Sequence, residues 1–330
     1  VSSVIRRGHA LASHGEGSFC VFCAMLWIGA VLVLSPVALW ALSYFLPLIL
    51  VALRPVPNLK KKYNASWALV TGGSSGIGRA LVDKLALQGL NVVLVAIEND
   101  DLDNTFKELT AAFPNQQFRK VGANFSPGVD YLTPIIEATK DIDVQLVFNN
   151  AGYIVTKFYH QRALADHMNN LECNLTAPAK ITMHFLQRML EKKLRGCFVF
   201  TSSVAGYIPN PFAVMYGTSK AGLSQFAASL AVEVMAKGID VTVFHPSPVA
   251  SKFYNDLDKI DALEMAKKAA VAADTLPDTV FKSIGWFVWR DIGMMAIAVR
   301  TITACVSYNL LTILFGMGAP FMDDYKRYVD

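Results

Sequence analysis

Three kinds of hydrophobic patterning follow one another along the chain. From Gly17 to Leu53 no charged residue occurs and nearly every position is apolar. About 20 such residues cross a hydrocarbon core, so this run predicts one long membrane span, or a hairpin of two short ones hinged near Ser35-Pro36. It is longer than the roughly 7–15-residue apolar stretch of a secretory signal. After a linker, short β-rich apolar runs at 67–71, 91–97, 117–122, 144–149, 197–202 and 240–245 alternate with helical patterns at 77–88, 101–113, 129–140, 161–193 and 216–237. Strands that alternate with helices predict βαβ units and a doubly wound parallel sheet covered on both faces. Past Tyr254 the pattern changes again: 255–282 reads as charged helix, and 284–322 is apolar, broken only by Arg290, Asp291 and Arg300. That last stretch predicts a second span, a helix lying on the membrane surface, or a helix covering the sheet. The expected division is a polar flank 1–16, an anchor 17–53, a basic linker 54–66, an α/β domain 67–254 and a substrate-lid and membrane-associated region 255–330.

Composition sharpens the membrane reading. Hydrophobic residues make up 53% of the chain and charged ones 17%, against roughly 25% charged in soluble domains. Arg54, Lys60, Lys61 and Lys62 follow the anchor directly, which places the downstream domain on the cytoplasmic side by the positive-inside bias. A net charge of +4 without a basic, aromatic-interleaved stripe excludes nucleic acid as a partner. The five cysteines are scattered; Cys20 and Cys23 form a C-x-x-C inside the apolar run without a partner pair, so neither a metal nor a redox site is expected.

The chemistry sits where strands meet helices. Thr71-Gly72-Gly73-Ser74-Ser75-Gly76-Ile77-Gly78 follows the first β run and opens a helix. Glycines there allow positive φ and close backbone approach to a pyrophosphate, which the free N–H groups of the helix start would hold. Tyr216 and Lys220 lie one helical turn apart on one face. A free phenol has a pKa near 10, and a neighbouring ammonium is expected to lower it, so that Tyr216 could exchange a proton with a carbonyl or an alcohol.

Five motifs in one order over 67–251 resemble the short-chain dehydrogenase/reductase family. They are Gly72-x-x-x-Gly76-x-Gly78, Asn149-Asn150-Ala151-Gly152, Ser203 in TSSVAG, the Tyr216-x-x-x-Lys220 pair, and Pro246-Ser247-Pro248-Val249-Ala250-Ser251. Asn174 stands where the family keeps an asparagine. The resemblance implies a Rossmann-type fold and carbonyl–alcohol redox with a nicotinamide dinucleotide. It also implies that Ser203, 13 residues before Tyr216, bonds the substrate oxygen. Lys220 would hold the ribose hydroxyls, and Asn174 would bind a water relaying protons from Lys220. Gly72, Ser74, Ser75, Gly76, Ile77, Gly78, Ile97, Asn124, Asn150, Ala151, Gly152, Tyr216, Lys220, Pro246, Val249 and Ser251 would line the cofactor. Ser202 fits the spacing to Tyr216 less well than Ser203, and His245 reads as structural.

Three positions depart from the family pattern. Ala96 lacks the acid that NAD-preferring relatives carry, and neither Ser75 nor Ile97 is the basic residue of NADP-preferring ones; the missing acid favours NADP(H) over NAD(H). Asn124 replaces an aspartate near the adenine, and Ser247 replaces a glycine. Within the family the anchor, the basic linker, NFSPG after the third strand and SPVASKF resemble the membrane-bound 3-oxoacyl-CoA reductases of fatty-acid elongation, grouped with 17β-hydroxysteroid dehydrogenases. The 3-ketosphinganine reductases and the retinol or steroid dehydrogenases share most of these signals. A pocket bounded by 204–215 and 251–290, rich in apolar residues, would suit a hydrophobic small molecule taken from membrane lipids. The expected location is the endoplasmic reticulum membrane with the catalytic domain cytosolic, an organelle inner membrane being the alternative. A homo-oligomer, or an accessory role in a membrane complex, stays open.

Overall fold

The computed structural model describes residues 2–254 and 270–329. Its contacts divide into two units, Val1–Arg54 and Pro55–Asp330. The first is a single helix, α1 (Ser2–Ala52), that runs through Pro36 and Pro47 without a break. Of the two arrangements expected for this segment, the single helix is therefore the one observed. Its stretch Met25–Ala52, of 28 residues, is long and apolar enough to cross a membrane.

The second unit is built on a seven-stranded, wholly parallel sheet. Its strands are β1 (Trp67–Thr71), β2 (Asn91–Ala96), β3 (Phe118–Gly122), β4 (Val144–Asn149), β5 (Gly196–Thr201), β6 (Ile239–Pro246) and β9 (Trp289–Ile292). They lie in the order β3-β2-β1-β4-β5-β6-β9. A separate two-stranded ribbon pairs β7 (Val249–Ala250) with β8 (Val271–Ala272). The near-continuous apolar runs of the strands follow from burial on both faces. Leu69, Val93, Val95, Val147, Phe198 and Phe200 belong to one core with Ile181, Phe185 and Leu223. Their sequence neighbours Ala68, Val92, Leu94, Leu146, Phe148 and Val199 belong to the other, with Leu81, Leu85 and Phe281.

The helices that carry the core residues just named are α3 (Gly76–Leu87), α7 (Ala177–Glu191), α8 (Val214–Val234) and α9 (Leu276–Ser283). The remaining helices before α8 are α2 (Leu59–Tyr63), α4 (Asp100–Ala112), α5 (Leu132–Thr139) and α6 (Leu164–Leu171). Helix α4 starts where Asn99 caps the Leu102 N–H, a standard N-cap arrangement. Between α6 and α7 the backbone widens into a π turn over Glu172–Thr176.

Two expectations change here. The linker lysines are partly consumed by the domain: Lys60 Nζ donates to the Gly89 carbonyl at 2.7 Å and Lys62 pairs with Asp240 at 2.8 Å. The apolar stretch 284–322 is not one continuous helix. Trp289–Ile292 joins the sheet beside Val243–Pro246, and Gly293 (φ +92°) turns the chain into α10 (Met294–Cys305). A sharp break separates α10 from α11 (Tyr308–Gly318), and α12 (Asp323–Val329) closes the chain. The charged part of the expected helix 255–282 lies largely outside the described residues.

Candidate active site

The glycine-rich turn is shaped by contacts that leave no room for side chains. Gly72 and Gly76 have φ of +64° and +52°, and a Cβ on Gly72 would lie 3.0 Å from the Ala151 backbone. A Cβ on Gly78 would overlap the Gly72 carbonyl. Ser75 is extended at the N-cap of α3 and makes no side-chain cap, so the first amides of that helix are available to an anion. Ser74 is fixed through its carbonyl, which accepts from Thr105 Oγ1 at 3.0 Å. Ile77 packs against the core beside α3.

Asn150 pins this turn to the sheet. Its Nδ2 donates to the Thr71 carbonyl (3.1 Å), its Oδ1 accepts from Thr201 Oγ1 (2.9 Å), and Thr71 Oγ1 accepts from the amides of Asn150 and Ala151. The ends of β1, β4 and β5 are thus bound to one another beside the glycines. Asn149 is turned away, donating to Thr182 in α7.

The π turn places Asn174. Its Oδ1 accepts from the Tyr153 amide (3.0 Å), while Nδ2 donates to the Tyr153 carbonyl (2.9 Å) and to Ser219 Oγ (3.1 Å). π turns in α-helices often mark functional sites. Gly152 lies between Asn174 and Lys220: a Cβ there would be 2.9 Å from Asn174 Oδ1 and 3.2 Å from Lys220 Nζ.

Lys220 is buried, and its Nζ donates to the Thr201 carbonyl at 2.8 Å while lying 5.7 Å from the Tyr216 ring centre. Burial lowers its pKa to about 8. For Tyr216 burial wins in the other direction and pushes the phenol above its ordinary value; contact with the Ser203 hydroxyl pulls it back in part. The lowering expected from Lys220, whose ammonium bonds the Thr201 carbonyl, does not offset this burial. Ser203 is half-buried just past the end of β5; its Oγ accepts from the Ala205 amide at 3.2 Å and hydrogen-bonds the Tyr216 phenol.

Ser202 and His245 lie in a buried chain that sequence reading did not anticipate. Ser202 Oγ and Ser224 Oγ both donate to the Lys220 carbonyl, and Ser224 meets His245 Nε2 at 2.9 Å. His245 Nδ1 faces Asp291 at 3.4 Å, and Asp291 accepts from Tyr207 at 2.9 Å. Burial holds His245 below its usual pKa. The order Asp–His–Ser resembles a nucleophilic triad, but Ser224 and His245 are almost wholly inaccessible. No local signal marks Asp291, which is brought in by β9.

The remaining expected residues fall at the following places. Ser251 stands next to Gly76, where an added Cβ would reach it at 3.0 Å. Val249 is buried, Pro246 ends β6, and exposed Ile97 follows β2. Asn124 is exposed and accepts from Ser126 Oγ at 2.8 Å. Ser247 has a structural reason: its Oγ caps the Ala296 amide of α10 at 3.1 Å, against Gly293 where a Cβ would collide with it. Among the described residues no metal-binding cluster occurs.

A parallel sheet in this order, with a glycine turn after β1 and a Tyr–Lys pair facing Ser203, defines a dinucleotide-dependent oxidoreductase. Residues 66–261 match the family model described as short chain dehydrogenase, and the chain belongs to that family. A very-long-chain 3-oxoacyl-CoA reductase-like protein of Arabidopsis thaliana is 31% identical over 77% of this chain and 81% of its own length. The human protein named inactive hydroxysteroid dehydrogenase-like protein 1 is 32% identical over 59% of this chain and 58% of its own. A solved structure from a study of 7β-hydroxysteroid dehydrogenase stereoselectivity superposes with a TM-score of 0.70 at 22% identity, covering 79% of this chain and all of the other. The chain is a short-chain oxidoreductase, and its cofactor is a nicotinamide dinucleotide.

Proposed function

We propose that the protein reduces a hydrophobic, lipid-type ketone, of the 3-oxoacyl-CoA or steroid kind, to an alcohol. The observation that carries this reading is the convergence of Ser203, Tyr216 and Lys220 beside the glycine turn. The dinucleotide, when bound, supplies the hydride. Tyr216 gives its phenolic proton to the carbonyl oxygen, and its raised pKa keeps it in the protonated form that reduction needs. Ser203, beside the Tyr216 hydroxyl, bonds the same oxygen as charge develops on it. Lys220 and the amides of the Gly72–Gly78 turn hold the dinucleotide. Asn174 has both amide hydrogens engaged, so its side chain acts by keeping Gly152-Tyr153 against Lys220.

The charges around the end of β2 support NAD(H), the reverse of the preference expected from Ala96. Glu98 lies across Gly122, with its Oε2 3.0 Å from where a Cβ would stand, and Asp100 and Asp101 open the next helix. Arg79, the nearest cation on α3, is held by Asp83 and Glu108, and Lys120 by Asp103. A 2′-phosphate at this rim would meet acids and, among the described residues, cations already paired with acids.

Met25–Ala52 supports a membrane anchor, and with the similarity to the very-long-chain reductase-like protein this favours the endoplasmic reticulum with a cytosolic catalytic unit. A second reading, an accessory subunit that binds a dinucleotide without turnover, is favoured by the relatives named inactive. The deciding experiment is a screen of 3-oxoacyl-CoA esters and hydrophobic ketones with NADH and with NADPH, run beside Tyr216→Phe. The proposal expects turnover that falls about 10²–10⁴-fold in the variant, with dinucleotide binding retained. No turnover on any ketone, or turnover indifferent to Tyr216→Phe, would favour the accessory role.

A further inference from the structure

The C-terminal helices carry an apolar surface that the redox site does not use. Between Arg300 and Asp323 the sequence has no charged residue. This stretch folds as the end of α10 and all of α11, whose axes turn by 115° across the break. Within α11 Leu311 is the buried residue. Tyr308, Leu310, Ile313, Leu314, Met317 and, just beyond, Phe321 are each about half or more exposed.

Length and distribution decide what can cover such a surface. An 11-residue helix is about 16 Å long, too short for a hydrocarbon core of about 30 Å, and the bend prevents α10 and α11 from forming one straight span. Leu310, Ile313, Leu314 and Met317 recur at i, i+3, i+4 and i+7, so they form one exposed stripe along α11, on a different face from the buried Leu311. With one face packed on the protein and another, apolar one exposed, α11 matches a helix lying in the surface of a bilayer. Charges return at both ends of the stretch, at Arg300 and at Asp323, Asp324, Lys326 and Arg327. The same chain holds another helix apolar enough to cross a membrane.

The base of this wedge is fixed to the catalytic unit. Ser247 caps the start of α10, Ala296 is fully buried, and the Arg300 guanidinium lies 4.9 Å and 5.0 Å from the ring centres of Tyr207 and Trp289. A groove of about 590 Å³ runs from α11 at Tyr308 and Phe315 to Ile208, Pro209 and Val214, in the segment that begins beside Ser203.

We propose that α10–α11 is a re-entrant wedge inserted into one leaflet of a bilayer, so that the groove at its foot opens among the acyl chains. The inference takes from the proposed function only that the chain resides at a membrane. Its test therefore reads depth, not turnover. Full-length protein with Cys20, Cys23 and Cys305 replaced by alanine is reconstituted in phosphatidylcholine vesicles. A fluorophore is placed at Leu314→Cys or Met317→Cys, with Gln187→Cys on the exposed face of α7 as control. Nitroxide-labelled lipids should quench the 314 and 317 probes several-fold more than iodide does, and the order should reverse at 187. A membrane-impermeant maleimide should reach Met294→Cys and Phe321→Cys from the same side. Iodide quenching at 314 and 317 equal to the control would overturn the wedge. So would protection from both quenchers that grows with protein concentration, which indicates a second copy, or labelling of 294 and 321 from opposite sides, which indicates a full span. Ketone reduction is measured on the same vesicles, so a wrong substrate assignment leaves the depth result standing.

Discussion

Lys220 shows how one buried side chain can set a measurable property of the whole unit. Its pKa in the fold is about 8, against about 10.4 in an unfolded chain. Below pH 8 both states carry the proton and burial of the charge opposes folding. Between pH 8 and about 10.4 the unfolded state binds more protons, so stability rises with pH across that window. The difference corresponds to roughly 3 kcal/mol in all. Urea unfolding of the cofactor-free protein at pH 7.5 and 10 should show this gain, and Lys220→Met should remove it; an unchanged pH slope in the variant would refute the assignment. The residue itself is plain in the sequence, four positions after Tyr216. Its bond to the Thr201 carbonyl is not, because that partner comes from another strand.

Helices and strands divide between those that local pattern predicts and those that need a neighbour. Of the six strands from Trp67 to Pro246, all but β3 were legible as short apolar runs flanked by turn residues, because burial on both faces leaves a near-continuous apolar signature; β3 carries Arg119 and Lys120 and was placed by the alternation of elements around it. The seventh was not. Trp289–Ile292 includes Arg290 and Asp291, and it becomes a strand because Val243–Pro246 offers an open edge. The interlock of Ser247 with α10 is of the same kind, since an isolated serine in place of glycine carries no sign of the helix it caps. Ser247→Ala should destabilise the protein by about 0.5–2 kcal/mol, the usual effect of losing an N-cap. Denaturant midpoints at constant m value would measure this, and a loss below about 0.3 kcal/mol would mean that Ser247 does not act as a cap.

At the scale of the molecule, cofactor, sheet and stability are linked. A ligand that binds only the folded state stabilises it by about 2.7 kcal/mol at 100 times its Kd. With Glu98, Asp100 and Asp101 at the rim, NADH should raise the thermal midpoint at lower concentration than NADPH. Glu98→Gln together with Ile97→Arg should narrow or invert that order. Equal or tighter stabilisation by NADPH in the unmodified protein would return the preference to the one expected from Ala96. The glycine turn, the N-N-A-G segment, the Ser–Tyr–Lys set and the alternation that builds the sheet were determined by the sequence alone, because they depend on residues close together in the chain and on periodicities of 2 and 3.6. The tertiary structure decided the rest: the ninth strand, the buried Ser224–His245–Asp291 chain and the direction of the Lys220 ammonium. Each of these depends on contacts between segments tens of residues apart, where neither spacing nor propensity specifies which group will be opposite which.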